Sequence, residues 1–383
     1  MKIVKKQVTL PEDKRIFVVS DIHGHYTWLE KLLKRVNFQK EDILFIVGDY
    51  IEKGPESLKT LRYVMKLCEA GNVYPSIGNV DLVRLQMLEG TWAAEELLNY
   101  INFMRKHWGT CFFEEMCREI KCPLNDVQDV VWAKAAVRHH FQKELDFLRS
   151  LPTLIETQKF IFVHGGLPAS GTEGLEAFNA HDLLKNDAFM EKGLSFDKYI
   201  VVGHWPVLLY SRGIPSLNPV VDTKQKIISM DGGCGVKAEG QLNLLTLDMQ
   251  CPENVCFQSY DELPVLCAKT AQAASLGSIF IKWTDNKIEV LDRRENAARV
   301  RHRTSGRELD IPYSFIYDID GDAKSMDYTD YRLQIEKGDR LSLIRKTPLG
   351  YFVKKNGVIG WFFGEAELCP DLQEAKVGIQ KIP

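Results

Sequence analysis

"RIFVVSDIHGH" (residues 15–25) sets the reading of the whole chain. Four consecutive apolar residues, Ile16 to Val19, all β-branched or aromatic, form a run with no polar alternation. Such a run predicts a strand buried on both faces, as in a parallel sheet. It breaks off into Asp21 and His23, two residues apart, so both side chains project to the same side of the chain. The pattern then recurs. "DILFIVGD" (42–49) ends in Asp49, "NVYPSIGN" (72–79) in Asn79, "KFIFVHGG" (159–166) passes through His164, and "KYIVVGHW" (198–205) through His204.

Between the first three strands lie "YTWLEKLLKRVNF" (26–38) and "SLKTLRYVMKLCEAG" (57–71), with apolar residues at helical spacing and Gly71 as a stop. Strand–helix–strand repeats predict a parallel sheet with right-handed crossovers. In open α/β sheets the loops at the carboxyl ends of the strands converge on one crevice. Asp21, His23, Asp49, Asn79, His164 and His204 are therefore expected to meet. Two aspartates, an asparagine and three histidines suit manganese, iron or zinc, since so many imidazoles are foreign to a magnesium or calcium site. Glycines beside five of these residues allow close backbone approach.

The bulk composition sets wider limits. At 383 residues the chain is too long for one core, and two or three domains are expected. A net charge of −3 gives no global basic field, so neither nucleic acid nor an anionic membrane is an expected partner. No apolar run approaches the roughly 18–20 residues of a membrane span, and the opening "MKIVKKQVTL" lacks the apolar core of a signal peptide. Nine cysteines without a Cys-x-x-Cys pair predict reduced thiols in a cytoplasmic protein.

Residues 82–150 read as a helical insertion, rich in Trp, Phe and paired charges, forming a cap. After the later strands "KIISMDGG" (226–233) and "LNLLTLD" (242–248), the pattern weakens into a connector over 250–275. The sequence predicts a first domain over 1–258 and a β-rich region over 275–383. Within the latter, "DYTDYRLQIEKGD" (327–339) and "GVIGWFFG" (357–364) resemble an SH3-like barrel over about 325–370, with a second copy over about 275–318. Such barrels imply docking to a peptide or cell-wall ligand. Tyr328, Tyr331, Tyr351, Trp361 and Phe362 would line a groove, at least half of them serving instead as barrel core.

The order of the six ligand-type residues, with "FLRSLPTLIETQKFIFVHGGLP" (147–168), resembles the calcineurin-like metallophosphoesterases, within them the phosphoprotein phosphatase branch of bacterial and phage Ser/Thr phosphatases and diadenosine tetraphosphatases. The resemblance covers residues 15–250. It implies an α+β, four-layer αββα sandwich with two divalent metal ions. Asp21, His23 and Asp49 would hold the first ion; Asp49, Asn79, His164 and His204 the second. A hydroxide between the ions would attack phosphorus in line.

Against that family pattern, the third motif lacks its proton-donating histidine: Val80 and Asp81 follow Asn79, and Glu52 stands where an orienting Asp is usual. Valine donates no proton, and general acid catalysis is worth about 10²–10⁴-fold. Lys53 replaces an arginine as catalytic and phosphate-binding residue, a point charge in place of a bidentate fork. Three readings stand. Leaving groups that need little protonation suffice; another donor substitutes, with His25 nearest and Arg84, Arg138, His139 and His140 behind it; or the protein binds phosphorylated ligands without turning them over. Arg84 is also a candidate substrate contact. The sequence favours a metal-dependent phosphoesterase acting on phosphomonoesters, of proteins or small molecules. Cleavage of dinucleoside polyphosphates or diesters comes second, and a non-enzymatic phospholigand sensor third.

Overall fold

The computed structural model describes residues 2–90, 92–319, 321–369 and 380–382. The chain divides into two units, Met1–Pro206 with Pro219–Asp261 and Gly378–Pro383, and Val207–Asn218 with Glu262–Val377. Among the described residues no helix is long and apolar enough to cross a membrane.

In chain order the first unit contains β1 (Lys5–Gln7), β2 (Ile16–Val19), α1 (Tyr26–Arg35), β3 (Ile43–Val47), α2 (Ser57–Cys68), β4 (Val73–Ser76) and five helices: α3 (Asn79–Glu89), α4 (Ala94–Trp108), α5 (Phe112–Glu119), α6 (Val127–His140) and α7 (Gln142–Ser150). It continues with β5 (Leu154–Glu156), β6 (Phe160–Val163), α8 (Ala180–Leu184), β7 (Tyr199–Val202), β8 (Val220–Asp222), β9 (Ile227–Ser229), β10 (Leu242–Leu247) and β11 (Cys256–Tyr260). One six-stranded sheet runs β1-β5-β6-β7-β9-β8. The other runs β11-β10-β2-β3-β4, with the strand Gln380–Lys381 added beside β11. At the centres β2, β3 and β4 are parallel, as are β6, β7 and β9.

Continuous apolar runs are needed here because each central strand is covered on both faces. Ile16, Val18, Ile43, Phe45 and Val47 turn toward Phe160, Phe162, Tyr199 and Val201 of the opposite sheet. The Phe45 and Phe162 rings stack at 3.8 Å between centroids. The alternate residues Phe17, Val19, Leu44 and Ile46 face helices, while Ile161, Val163, Ile200 and Val202 pack with Leu183 of α8 and Phe189. This is the expected four-layer α/β sandwich. The helical stretch does not stand apart as a cap core of its own: Leu85, Ile101, Phe112, Val130 and Phe141 join the same buried cluster as Leu29 and Leu61.

The second unit is strand-rich. Val265–Ala268 lies between Arg340–Thr347 and Ala366–Leu368 in a five-stranded sheet with Gly350–Lys355 and Val358–Phe362. Part of what the sequence reads as connector is thus a strand. Ile288–Arg293, Ala297–His302 and Glu308–Pro312 form a separate three-stranded sheet, so the two similar-looking stretches differ in sheet make-up. Of the five aromatics expected at a groove, Tyr328, Trp361 and Phe362 are buried. The expectation of reduced thiols fails at one pair: Cys267 and Cys369 form a disulfide. They are 102 residues apart, a separation that hides the pairing in sequence, and the adjacent strands Val265–Ala268 and Ala366–Leu368 bring them together.

Candidate metal centre

Each predicted ligand follows the carboxyl end of a strand. Asp21 and His23 come after β2, Asp49 after β3, His164 after β6 and His204 after β7. Asn79 differs from expectation: it is the first residue of α3, and so stands at a helix N-terminus rather than closing β4. Asp21, His23, Asp49 and His164 are all but fully buried. Asp21, His23, Asp49 and His204 take left-handed backbone, with φ of 52°, 46°, 54° and 63°. That conformation turns each side chain sharply out of its strand direction, at a cost to any residue with a Cβ. Gly203 and Gly78 allow close approach: a Cβ at either would lie 2.1 Å from a ligand oxygen, Asp21 Oδ2 and Asp49 Oδ1 respectively.

The geometry brings the predicted set together. One oxygen each of Asp21 and Asp49 and one ring nitrogen of His164 lie within 4.8 Å of one another. His164 Nε2 is 3.4 Å from Asp49 Oδ1 and 4.0 Å from Asp21 Oδ1. His23 Nε2 is 3.7 Å from Asp49 Oδ2. His164 Nε2 and His204 Nδ1 each lie 2.9 Å from the side-chain oxygen of Asn79.

Hydrogen bonds decide which ring nitrogens carry protons. His23 Nδ1 faces the Ile51 carbonyl at 3.2 Å and His164 Nδ1 faces that of Val47 at 2.9 Å. A carbonyl only accepts, so both Nδ1 atoms donate, and both Nε2 lone pairs turn inward when the rings are neutral. The site therefore presents imidazole lone pairs and carboxylate oxygens to a common volume. That electron-rich, acceptor-only donor set fits a divalent cation, and excess carboxylate reinforces it.

Asp81 and Asp231 are buried beside the ligands, and sequence reasoning assigned neither a structural role. Asp81 Oδ2 accepts from the backbone N–H of Asp49 at 2.7 Å and of Gly78 at 2.9 Å, and Oδ1 accepts from Tyr50 N–H at 3.0 Å. It fastens the Asp49 loop to the start of α3. Asp231 follows β9 and accepts from Gly233 N–H at 2.7 Å.

Burial, with Asp49 adding to it, lifts Asp21 to about 6 and Asp81 to about 7. Burial also raises Asp231 well above the carboxylate range, with help from Asp21. Asp49 goes the other way: burial opposes its charge, but His164, His23 and Lys53 outweigh it and hold the carboxyl far below its usual value. His164 is the converse, pushed to about 10 because Asp49 and Asp21 overcome burial. Burial and Lys53 lower His23 to about 3, and burial with His164 lowers His204 to about 4. Packed carboxylates thus stabilise positive charge at the centre of the site.

Of the remaining candidates, Lys53 sits at the centre, its Nζ 3.5 Å from His23 Nε2. His25 stands just before α1, with Nδ1 2.7 Å from the His23 carbonyl and its ring against Trp28. Arg84 donates from Nε to Glu52 at 3.0 Å and lies over the Tyr100 ring. Arg138 donates to the Leu88 carbonyl at 2.6 Å, and His139 and His140 are exposed on α6.

Residues 14–225 match the model of the calcineurin-like phosphoesterase family, and the chain belongs to that family. It is similar to the symmetrical bis(5'-nucleosyl)-tetraphosphatase of Vibrio cholerae serotype O1, 30% identical over 152 residues, which are 39% of this chain and 44% of that protein. The protein of the same name from Colwellia psychrerythraea is 40% identical over 82 residues, 21% of this chain and 28% of that one. The match therefore spans less than half the length of these curated relatives. Among solved structures, the cold-active protein-tyrosine phosphatase of a psychrophilic Shewanella is 17% identical with a TM-score of 0.40, over 68% of this chain and 82% of that one. A protein serine/threonine phosphatase from Saccharomyces cerevisiae is 15% identical with a TM-score of 0.39, over 68% and 84%.

Proposed function

We propose that the chain is a dinuclear-metal phosphoesterase that hydrolyses phosphomonoesters whose leaving groups need little protonation, aryl phosphates above all. The observation that carries this reading is the convergence of His164 Nε2 and His204 Nδ1 on the Asn79 oxygen, beside Asp21 and Asp49. Asp21, His23, Asp49, Asn79, His164 and His204 would hold two ions of the manganese, iron or zinc class, Asp49 being shared. When bound, such ions supply positive charge at the phosphoryl oxygens and acidify a water for attack.

The chain's own residues do the rest. Asp81 holds the Asp49 loop in place, and the Ile51 and Val47 carbonyls keep two imidazoles turned inward. Lys53 places a compact charge where a phosphate would lie against the ligands. No histidine follows Asn79, and the cation nearest in sequence on α3, Arg84, is a guanidinium that gives up no proton at physiological pH. A leaving group that departs as a stable anion suits this arrangement.

Dinucleoside polyphosphates are the second reading, favoured by the names of the curated relatives; a phosphate leaving group likewise needs little help from an acid. The β-rich unit would serve docking to a peptide or cell-wall partner. The test is hydrolysis of p-nitrophenyl phosphate, a phosphoserine peptide and diadenosine tetraphosphate by protein stripped with EDTA and restored with manganese. Rapid turnover of the aryl ester over the serine ester is expected. Selective cleavage of the dinucleotide would establish the second reading, and no metal-dependent turnover of any of the three would overturn both.

A further inference from the structure

We propose that Asp187 is the positioning residue that fixes the tautomer and ring orientation of His204, a role resting on the metal-centre reading above. Asp187 Oδ1 is 2.7 Å from His204 Nε2. An ionised carboxylate only accepts, so Nε2 carries the hydrogen and the lone pair is left on Nδ1. Nδ1 is the nitrogen that faces Asn79, at 2.9 Å. The two ring nitrogens point to opposite edges of the imidazole, so Asp187 grips the outer edge while the inner edge meets the other ligands. Asp187 is thus no ligand itself, and it turns the right nitrogen inward.

The three histidines are oriented by different means. His23 and His164 are held by backbone carbonyls, at Ile51 and Val47, which no side-chain substitution removes. His204 relies at this nitrogen on a side chain from another segment of the chain. A carboxylate partner also makes the imidazole a stronger donor than a carbonyl does, as in carboxylate–histidine–metal triads generally.

The loop that carries Asp187 is built to place it. Asn186, just before it, is buried, with Nδ2 donating to the Leu167 carbonyl at 3.3 Å and Oδ1 accepting from Lys192. Ala188, just after it, takes left-handed backbone at φ 53° despite its Cβ. The loop rests directly on the residue following His164: Gly165 N–H donates to the Leu183 carbonyl at 2.9 Å. A Cβ on Gly165 would lie 2.6 Å from Leu184 O and 2.8 Å from Asn186 N. One strand end therefore presents His164 and also seats the loop that orients His204. The Asp187 side chain is 48% exposed, so its replacement opens no cavity, and an ordinary surface ion pair would contribute little.

The test uses the full chain with ¹⁵N-labelled histidine, with Asp187→Ala and Asp187→Asn alongside. Long-range ¹H–¹⁵N spectra of metal-free protein read the His204 tautomer, and competition with a chromophoric chelator reads manganese and zinc affinity. In the wild type His204 is expected as the Nε2–H tautomer. Asp187→Ala should mix the tautomers and weaken one of two metal equivalents by about 10–100-fold. Asp187→Asn, whose amide oxygen still accepts, should keep the tautomer and lose less affinity. An Ala variant with wild-type tautomer and unchanged affinity would overturn the proposal. A wild-type chain that takes up no metal would overturn the reading beneath it, and the wild-type titration alone distinguishes that failure.

Discussion

Glu52, with no exposed side-chain surface, receives the Arg84 Nε at 3.0 Å, and its other oxygen accepts the Phe112 N–H at 3.2 Å. Both oxygens of the carboxylate are thereby committed. Arg84 lies one helical turn beyond Val80 on α3, so a fixed cation stands near the place where the family pattern has a proton donor. Removing Arg84 would leave a buried carboxylate without its partner, which typically costs about 3–5 kcal/mol. Arg84→Ala should lower the unfolding free energy by about 3 kcal/mol in urea titrations, and Arg84→Lys, without the planar fork, by part of that. A loss below about 1 kcal/mol would show that water or a neighbour replaces the guanidinium.

The same commitment limits what Val80→His can do. A histidine placed there finds Glu52 already taken, so the single variant should raise turnover of a phosphoserine peptide by less than about 10-fold, short of the 10²–10⁴-fold a well-placed general acid provides. Val80→His combined with Arg84→Leu frees Glu52 to orient the new imidazole and should gain more. Full rescue by Val80→His alone would mean that Glu52 plays no part in orienting it.

Metal removal should be visible in stability as well as in catalysis. Four buried carboxyls, Asp21, Asp49, Asp81 and Asp231, crowd the site, and a cation relieves their repulsion. An ion at a hundred times its dissociation constant stabilises by about 2.7 kcal/mol, or roughly 5–10 °C for a unit of this size. Calorimetry of EDTA-stripped protein with and without manganese should show this rise in the wild type. Asp49→Ala should lose most of it; an equal rise in that variant would place the ion elsewhere.

Away from the site, Glu115 accepts the Ser57 and Leu58 N–H groups at 3.0 and 2.9 Å, at the start of α2. Burial nonetheless pushes it up to about 7 from an ordinary 4.5. A carboxyl raised in the folded state contributes stability that is fully present below its unfolded value and lost as pH rises through its folded one. Relative to Glu115→Gln, the wild type should therefore lose melting temperature between about pH 4.5 and 7 and run level with it above. A constant gap across that range would show that the two backbone donors keep Glu115 ionised.

Much of this site was legible because each ligand closes a run of apolar residues. "IFVV", "ILFIV" and "FIFV" announce strands buried on both faces, and chemistry-bearing residues follow them directly. Asn79 falls on a helix rather than on the strand because β4 stops at Ser76 and only Ile77 and Gly78 separate it from α3, a junction too short to register as a break in the apolar pattern. Asp187 was missed for a different reason: "LKNDAF" follows no strand and reads as an ordinary turn, and only the contact of its loop with Gly165 brings it to His204. The partnership of Cys267 with Cys369 and the strand Val265–Ala268 depend on residues far along the chain, which local pattern does not register.

The left-handed backbone at Asp21, His23, Asp49 and His204 continues through Glu52 and Lys53, with φ of 69° and 62°. A chain selected for folding alone would favour glycine at such positions, since each costs about 1–3 kcal/mol in strain for a residue with a Cβ. Glycine at Lys53 would relax its backbone while removing the ammonium beside the ligands. Stability and activity therefore pull in opposite directions at this rim, and variants chosen for thermal endurance should drift away from the side chains that define the centre.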